Sequence, residues 1–305
     1  MKVKKKYELT SETIKFNGVT LHRIKALKDF SDVKAGDLGG WVEEEENLSQ
    51  MGDSWIYSNA KVYGDAQVYG NAKVCGDAMV CGSAKVCGDT KVCDNAEVCG
   101  NVYIYGSAEV YGHAKVYTHA EICGHARIFG NAKVYDYSKV CGDANIYGNA
   151  EVYENAKVYT HAEVYGHARV FGNAIVEGNA KVYTHAEICG HARIFGNAEV
   201  YDNAKICGDA NIYGNAEVYE NAEICGDAVI RGNAKVCNKT DYIIFKNFWS
   251  SGRFFTWTRS NNMWSVGCFY GKGKELIEKA YRDSAKSGKE YERVVKYVDS
   301  ILADK

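Results

Sequence analysis

From Gly52 to Cys237 hydrophobic and polar positions follow one rhythm without interruption. The segment divides into 31 consecutive six-residue units, such as Gly64-Asp65-Ala66-Gln67-Val68-Tyr69 and Gly214-Asn215-Ala216-Glu217-Val218-Tyr219. The third position is nearly always Ala, the fifth is always Val or Ile, and the fourth is mostly Lys, Glu or Arg. Small, polar and β-branched residues in alternation make a strand with one buried face. The Gly-Asn or Gly-Asp pair that follows accepts positive φ and turns the chain. A turn every six residues leaves no length for hairpins. It suits a parallel β-helix in which three units close one triangular coil, with Ala and Val/Ile inside and the fourth residue outside. A helix is opposed by glycine at most unit starts and by Val/Ile throughout. The prediction is an all-β fold: a parallel β-helix of about ten triangular coils, with an N-terminal β cap and a small C-terminal α+β module.

The chain has no proline, which agrees with a shaft whose backbone N–H groups all pair with a neighbouring coil. Three segments are expected: 1–51 as the N-terminal cap, 52–237 as the hexapeptide-repeat β-helix and 238–305 as the C-terminal module. In the cap, Thr13–Phe16 and Val19–Ala26 flank Asn17-Gly18, a hairpin signal, and Asp37–Glu46 leads into the first coil. In the module, Tyr242–Trp249, Phe254–Ser260 and Met263–Tyr270 read as three antiparallel strands, with turns at Ser250–Gly252 and Asn261-Asn262. Helices follow at about Lys274–Ser284 and Lys289–Ala303, the second with an apolar stripe of Val294, Val295, Val298, Ile301 and Leu302. Both ends act as caps, since an open β edge templates aggregation.

The Val/Ile-x-Gly-Asn/Asp-Ala-x rhythm resembles the hexapeptide repeat of the left-handed β-helix, LpxA-like superfamily. Gly36-Asp37-Leu38-Gly39-Gly40-Trp41-Val42-Glu43 with Asn47-Leu48-Ser49, and the tail motif Gly267-Cys268-Phe269-Tyr270-Gly271, are similar to flanking segments of phage and prophage proteins labelled polymer-forming or hexapeptide-transferase-like. The resemblance implies the fold across almost the whole chain. Unrelated activities share that scaffold.

Net charge is −2, while residues 238–305 carry 13 basic and 8 acidic side chains. No segment is basic enough to bind nucleic acid on charge alone. No secretory signal is visible near the start, so a cytoplasmic location, in a bacterial host cell, is expected. The resemblance raises acyl transfer, because hexapeptide acyltransferases use a His base and related carbonic anhydrases bind zinc through His. Seven histidines lie in the array, at 113, 119, 125, 161, 167, 185 and 191, all at the second position where Asn or Asp otherwise turns the chain. On an eighteen-residue coil His167 and His185 are the two histidines that stack. The others spread round the shaft, whereas zinc needs ligands converging on one point. No catalytic residue, metal or cofactor is therefore expected.

The run from Thr118 recurs at Thr184, and that from Gly142 recurs at Gly208, an offset of 66 residues that rotates copied side chains to another face. Such copying favours a spacer over a one-faced site. Eleven cysteines lie at the sixth position, and nine of them are vertical neighbours: Cys75/Cys93, Cys81/Cys99, Cys123/Cys141 and Cys189/Cys207/Cys225. Stacked Cα atoms are in disulfide range, but without a secretory signal reduced thiols are expected. Sixth-position tyrosines form stripes that either contact a partner or merely cover the corners by stacking.

The least repetitive surface is the tail. Arg253, Phe255, Trp257, Arg259 and Trp264 are the candidate binding residues, with core packing as the competing use of the aromatics. The reading that follows is a non-enzymatic, phage-type scaffold, a rigid capped rod that binds a protein partner of the bacterial host, with antagonism of a host defence system as one role. Self-association through the β-helix faces is a second option for partners, and no membrane contact is expected. A hexapeptide-repeat acyltransferase is the alternative, ranked second because no loop interrupts the array. Nucleic-acid binding through the basic aromatic tail ranks third.

Overall fold

A computed structural model describes residues 5–249 and 252–303. The repeat array forms a parallel β-solenoid. Its 31 short strands, β4 (Trp55–Ile56) to β34 (Lys235–Val236), are dealt in turn onto three parallel sheets. Each strand pairs with the one eighteen residues on, as in Glu121↔Lys139 and Lys139↔Lys157. The interior is a continuous column of third-position Ala and fifth-position Val or Ile, for example Ala144, Ile146, Ala150 and Val152, all fully buried. Corners turn through residues at positive φ. Coil-to-coil hydrogen bonds use the backbone on either side of each turn, such as Arg127 N to Ala144 O at 2.9 Å. These bonds leave no place for proline.

The solenoid begins earlier than the hexads do. The hairpin of β1 (Tyr7–Phe16) and β2 (Val19–Ala26) turns at Asn17-Gly18 as expected, and pairs antiparallel with β3 (Leu38–Val42). β3 then pairs in parallel with the shaft, Val42 against Val62, and Leu48 bridges to Val68. Both offsets are twenty residues instead of eighteen, because two extra residues lie between Leu48 and Trp55. An additional partial coil therefore precedes the repeats, giving about eleven turns. Buried Asn47 holds this coil: its Oδ1 accepts from the Glu43 and Glu44 amides, and its Nδ2 donates to Gly64 O and Ala66 O at 2.8 and 2.9 Å. Lys6 is also fully buried, donating to Ser54 O at 2.8 Å and Ser54 Oγ at 3.2 Å.

The C-terminal module is a four-stranded antiparallel sheet, β35 (Tyr242–Lys246), β36 (Phe254–Thr258), β37 (Met263–Val266) and β38 (Phe269–Gly271), followed by α1 (Gly273–Asp283) and α2 (Ala285–Ala303). The expected third strand is split by a turn at Gly267-Cys268, and of the expected turn at Ser250–Gly252 the two serines lie outside the described residues. The sheet is a lid. One side packs on α1 and α2 through Phe255, Trp257, Trp264, Leu276, Val295 and Val298. The other side satisfies the last coil, whose amides have no coil beyond them. The Val229 N–H donates to Thr256 Oγ1 at 2.9 Å, the Lys235 N–H to Ser260 Oγ at 2.7 Å, and Tyr270 OH donates to Arg231 O at 3.0 Å.

Candidate functional site

The lid decides the fate of the predicted binding residues. Phe255, Trp257 and Trp264 are buried against the helices, with Phe255 edge-on to Trp264 at 6.5 Å and to Tyr291 at 4.6 Å. Thr256 and Thr258, on the opposite side of β36, are buried too. The strand is sandwiched between the helices and the shaft end, so Phe255 and Trp257 do not face solvent. Arg253 is exposed and Arg259 half-buried, at the two ends of the strand. The aromatics are core, and the tail offers no aromatic binding platform made of these residues.

The sixth-position rings stack into ladders. Tyr111, Phe129, Tyr147, Tyr165, Tyr183, Tyr201 and Tyr219 form one continuous column with centroids 4.8 to 5.2 Å apart. Their faces are covered by one another. Burial in the stack, and then neighbouring carboxylates, push the Tyr147 and Tyr201 phenols up to about 12. Fourth-position charges are mixed in sign down the faces: Lys91 meets Glu109 at 3.1 Å and Lys133 meets Glu151 at 2.9 Å, while Lys73 stacks on Lys91 and Glu199 on Glu217.

Four of the vertical cysteine pairs are bonded: Cys75–Cys93, Cys81–Cys99, Cys123–Cys141 and Cys207–Cys225. This differs from the expected reduced thiols. The Cα atoms of adjacent rungs lie 4.5 to 4.6 Å apart, which brings stacked sulfurs within bonding reach. Cys87, Cys189, Cys237 and Cys268 are free thiols.

Among the histidines, His167 and His185 do stack, ring centroids 5.0 Å apart. The more reactive arrangement is elsewhere. One corner carries, on successive coils, Cys123-Gly124-His125, Cys141-Gly142-Asp143 and Tyr159-Thr160-His161. Here His161 Nε2 lies 3.2 Å from Asp143 Oδ2. The backbone holds the corner: the His125 amide donates to the carbonyl of Gly142, just before Asp143, at 2.8 Å, and the His161 amide to Gly178 O at 2.9 Å. Thr160, just before His161, sits at φ 61°, an uncommon setting for a β-branched residue. The side chains are 61% and 51% exposed, so the pair is open to a substrate. A carboxylate on one ring nitrogen orients the imidazole and sets its tautomer, leaving Nδ1 as a base. Sequence reasoning missed this pair because it compared histidines with histidines. The signal was present: Asp143 and His161 are eighteen residues apart at the same unit position.

Comparison with known proteins adds to this picture. Residues 162–183, which begin directly after His161, match the family described as the YdcK beta solenoid repeat. A 61-residue stretch is 41% identical to YdcK of Escherichia coli strain K12, described as an uncharacterised acetyltransferase. The chain is a hexapeptide-repeat β-helix. The match to the acetyltransferase takes in 17% of this β-helix and 19% of the relative's own length.

That relative corrects two expectations. The non-enzymatic phage-type scaffold gives way to the acyl-transfer alternative, which the relative's description as an acetyltransferase favours. The expectation of no enzymatic activity falls with it. Acyl transfer had been ranked second because no loop interrupts the array, yet the Asp143–His161 pair is built at an ordinary corner without one. Among the described residues no helix is long and apolar enough to cross a membrane.

Proposed function

We propose that the chain is an acyltransferase that moves an acyl group from a thioester donor to a hydroxyl or amine acceptor, with His161 as general base and Asp143 as the residue that positions it. The observation that carries the reading is the similarity of a 61-residue stretch to an acetyltransferase; the His–Asp pair supplies chemistry suited to it. In this scheme Nε2–H of His161 donates to Asp143, and Nδ1 takes the proton of the acceptor as its oxygen or nitrogen attacks the thioester carbonyl. The tetrahedral intermediate collapses with loss of the thiolate, which takes the proton back from the imidazolium. Asp143 stabilises the transient positive charge and keeps the ring in register.

The test is turnover of acetyl-CoA with a panel of sugar, amine and hydroxy-acid acceptors, followed by release of free thiol. Wild-type protein should turn over with at least one acceptor. His161→Asn should lower kcat by roughly 10²–10⁴-fold with an unchanged circular-dichroism spectrum, since Asn occupies the same position at Asn179 on the next coil. His167→Asn should leave turnover intact. Equal activity in His161→Asn and wild type would remove His161 from the mechanism.

A further inference from the structure

Next to this corner, on the flat face, three side chains offer oxygen and sulfur donors to one point. Glu121 opens the strand Glu121–Ile122 and Cys123 directly follows it, two residues on and so on the same side, while Cys141 stands on the adjacent rung. One carboxylate oxygen and the two sulfurs lie within 4.8 Å of one another. We propose that, once the Cys123–Cys141 disulfide is reduced, Glu121, Cys123 and Cys141 bind a thiophilic divalent cation of the zinc or cadmium class. The proposal is independent of the acyltransferase reading.

Two thiolates and a carboxylate fit a tetrahedral borderline-soft cation and leave a fourth position open. The balance is simple. A dithiol reductant becomes a disulfide as Cys123 and Cys141 become thiols, and the cation then displaces two protons from the sulfurs. The same disulfide therefore closes the site under oxidising conditions. Geometry separates this trio from its neighbours. The Cys75–Cys93 rungs carry Lys73 and Lys91 at the fourth position instead of a carboxylate. Beside Cys81–Cys99, Glu97 leans up to the next rung, where Lys115 Nζ lies 3.2 Å away and Tyr117 donates to it. The 66-residue copy repeats the trio as Glu187, Cys189 and Cys207, but there Cys207 is bonded to Cys225 and Cys189 is left free. At the proposed site Glu121 is held in a similar way, with Lys139 Nζ 2.8 Å from its Oε1 and Tyr105 donating to the same oxygen, but there the carboxylate stays within reach of both sulfurs; the ammonium now occupies part of the space a metal would take.

Cobalt titration of the full chain tests this, with a phosphine as reductant because dithiols chelate metals. The phosphine becomes its oxide with the oxygen of water as the disulfide becomes two thiols. A Cys189→Ser/Cys207→Ser background removes the copied trio. One tight equivalent should bind with a thiolate-to-cobalt charge-transfer band. Cys123→Ser should abolish it, Glu121→Gln should weaken it at least tenfold, and Lys139→Gln should tighten it by removing the competing ammonium. Cys75→Ser/Cys93→Ser should change neither affinity nor stoichiometry, and protein kept oxidised should show no band. Absence of a tight equivalent, its survival in Cys123→Ser, or indifference to both Glu121→Gln and Lys139→Gln would overturn the proposal.

Discussion

Gly142 and Gly226 adopt nearly the same backbone, at φ 76° and 70°, but differ in what stands above them. A Cβ at Gly142 would lie 2.8 Å from Thr160 N, 2.9 Å from its Cα and 3.0 Å from its carbonyl oxygen, whereas at Gly226 nothing comes within 4 Å. An alanine at either site bears the left-handed strain, about 1–2 kcal/mol. At Gly142 it must also push two coils apart, an overpacking cost of about 1–3 kcal/mol. Gly142→Ala should therefore destabilise by about 2–5 kcal/mol, and Gly226→Ala by about 1–2 kcal/mol. A solenoid responds coil by coil, so the suitable assay is hydrogen exchange by mass spectrometry on the coils flanking each site. Protection around the rungs of Asn145 and His161 should fall in Gly142→Ala, and around Asn211 and Val229 only slightly in Gly226→Ala. Equal losses in the two variants would show that coil contact does not set the glycine requirement. A larger loss in Gly226→Ala would refute the reasoning outright.

Further outcomes follow from single contacts. Ile146 is fully buried in the shaft, and Ile146→Asp should unfold the middle coils, seen as lost β circular dichroism, because it places a carboxylate where no partner exists. Asn47→Ala removes four hydrogen bonds of the leading coil and should cost about 2–4 kcal/mol, read as cap-specific exchange or proteolysis. Trp257→Ala should cost about 3–5 kcal/mol of module stability, as expected for core and not for a contact surface. Burial lowers the Lys6 ammonium from 10.5 to about 8, with Asp53 opposing and Lys28 adding to the shift. Between those values the unfolded chain holds a proton that the folded one has lost, so cap stability should rise from pH 8 towards 10.5. Denaturant unfolding of wild type against Lys6→Met at pH 7.5 and 10 checks the sign.

The shaft was legible because its hexad phase is unbroken: the strand positions, the buried Ala and Val/Ile and the rung partners all follow from counting by eighteen. The leading coil was not, because two extra residues after Leu48 break that phase, and Trp41-Val42 lies in a segment with no repeats to count. The tail shows a different limit. Alternation told which residues of Phe254–Thr258 share a side, but not that both sides are covered, since that depends on a lid meeting the last coil. Disulfides were within reach by spacing, and the expectation failed on an argument about compartment instead of geometry.

The internal duplication copies side chains to another face of the shaft, but it does not copy the rungs they meet. The copied run Gly142-Asp143-Ala144-Asn145-Ile146-Tyr147 reappears at Gly208-Asp209-Ala210-Asn211-Ile212-Tyr213. The rung after it is not copied: Thr160-His161 corresponds to Gly226-Asp227. Two aspartates in identical local sequence thus face different partners, an imidazole at 3.2 Å for Asp143 and the rung of a second carboxylate for Asp209. This makes Asp209 an internal control for the proposed mechanism. Asp143→Asn keeps the turn and the hydrogen-bonding shape but gives up the charge that orients His161 and stabilises its protonated form. It should lower acyl transfer at least tenfold, read in kcat with KM little changed. Asp209→Asn should leave turnover unchanged and, by relieving like-charge stacking, raise stability by about 0.2–1 kcal/mol. Equal effects of the two substitutions on turnover would mean that the aspartates matter only as turn residues, and the His161–Asp143 pair would then have no part in the chemistry.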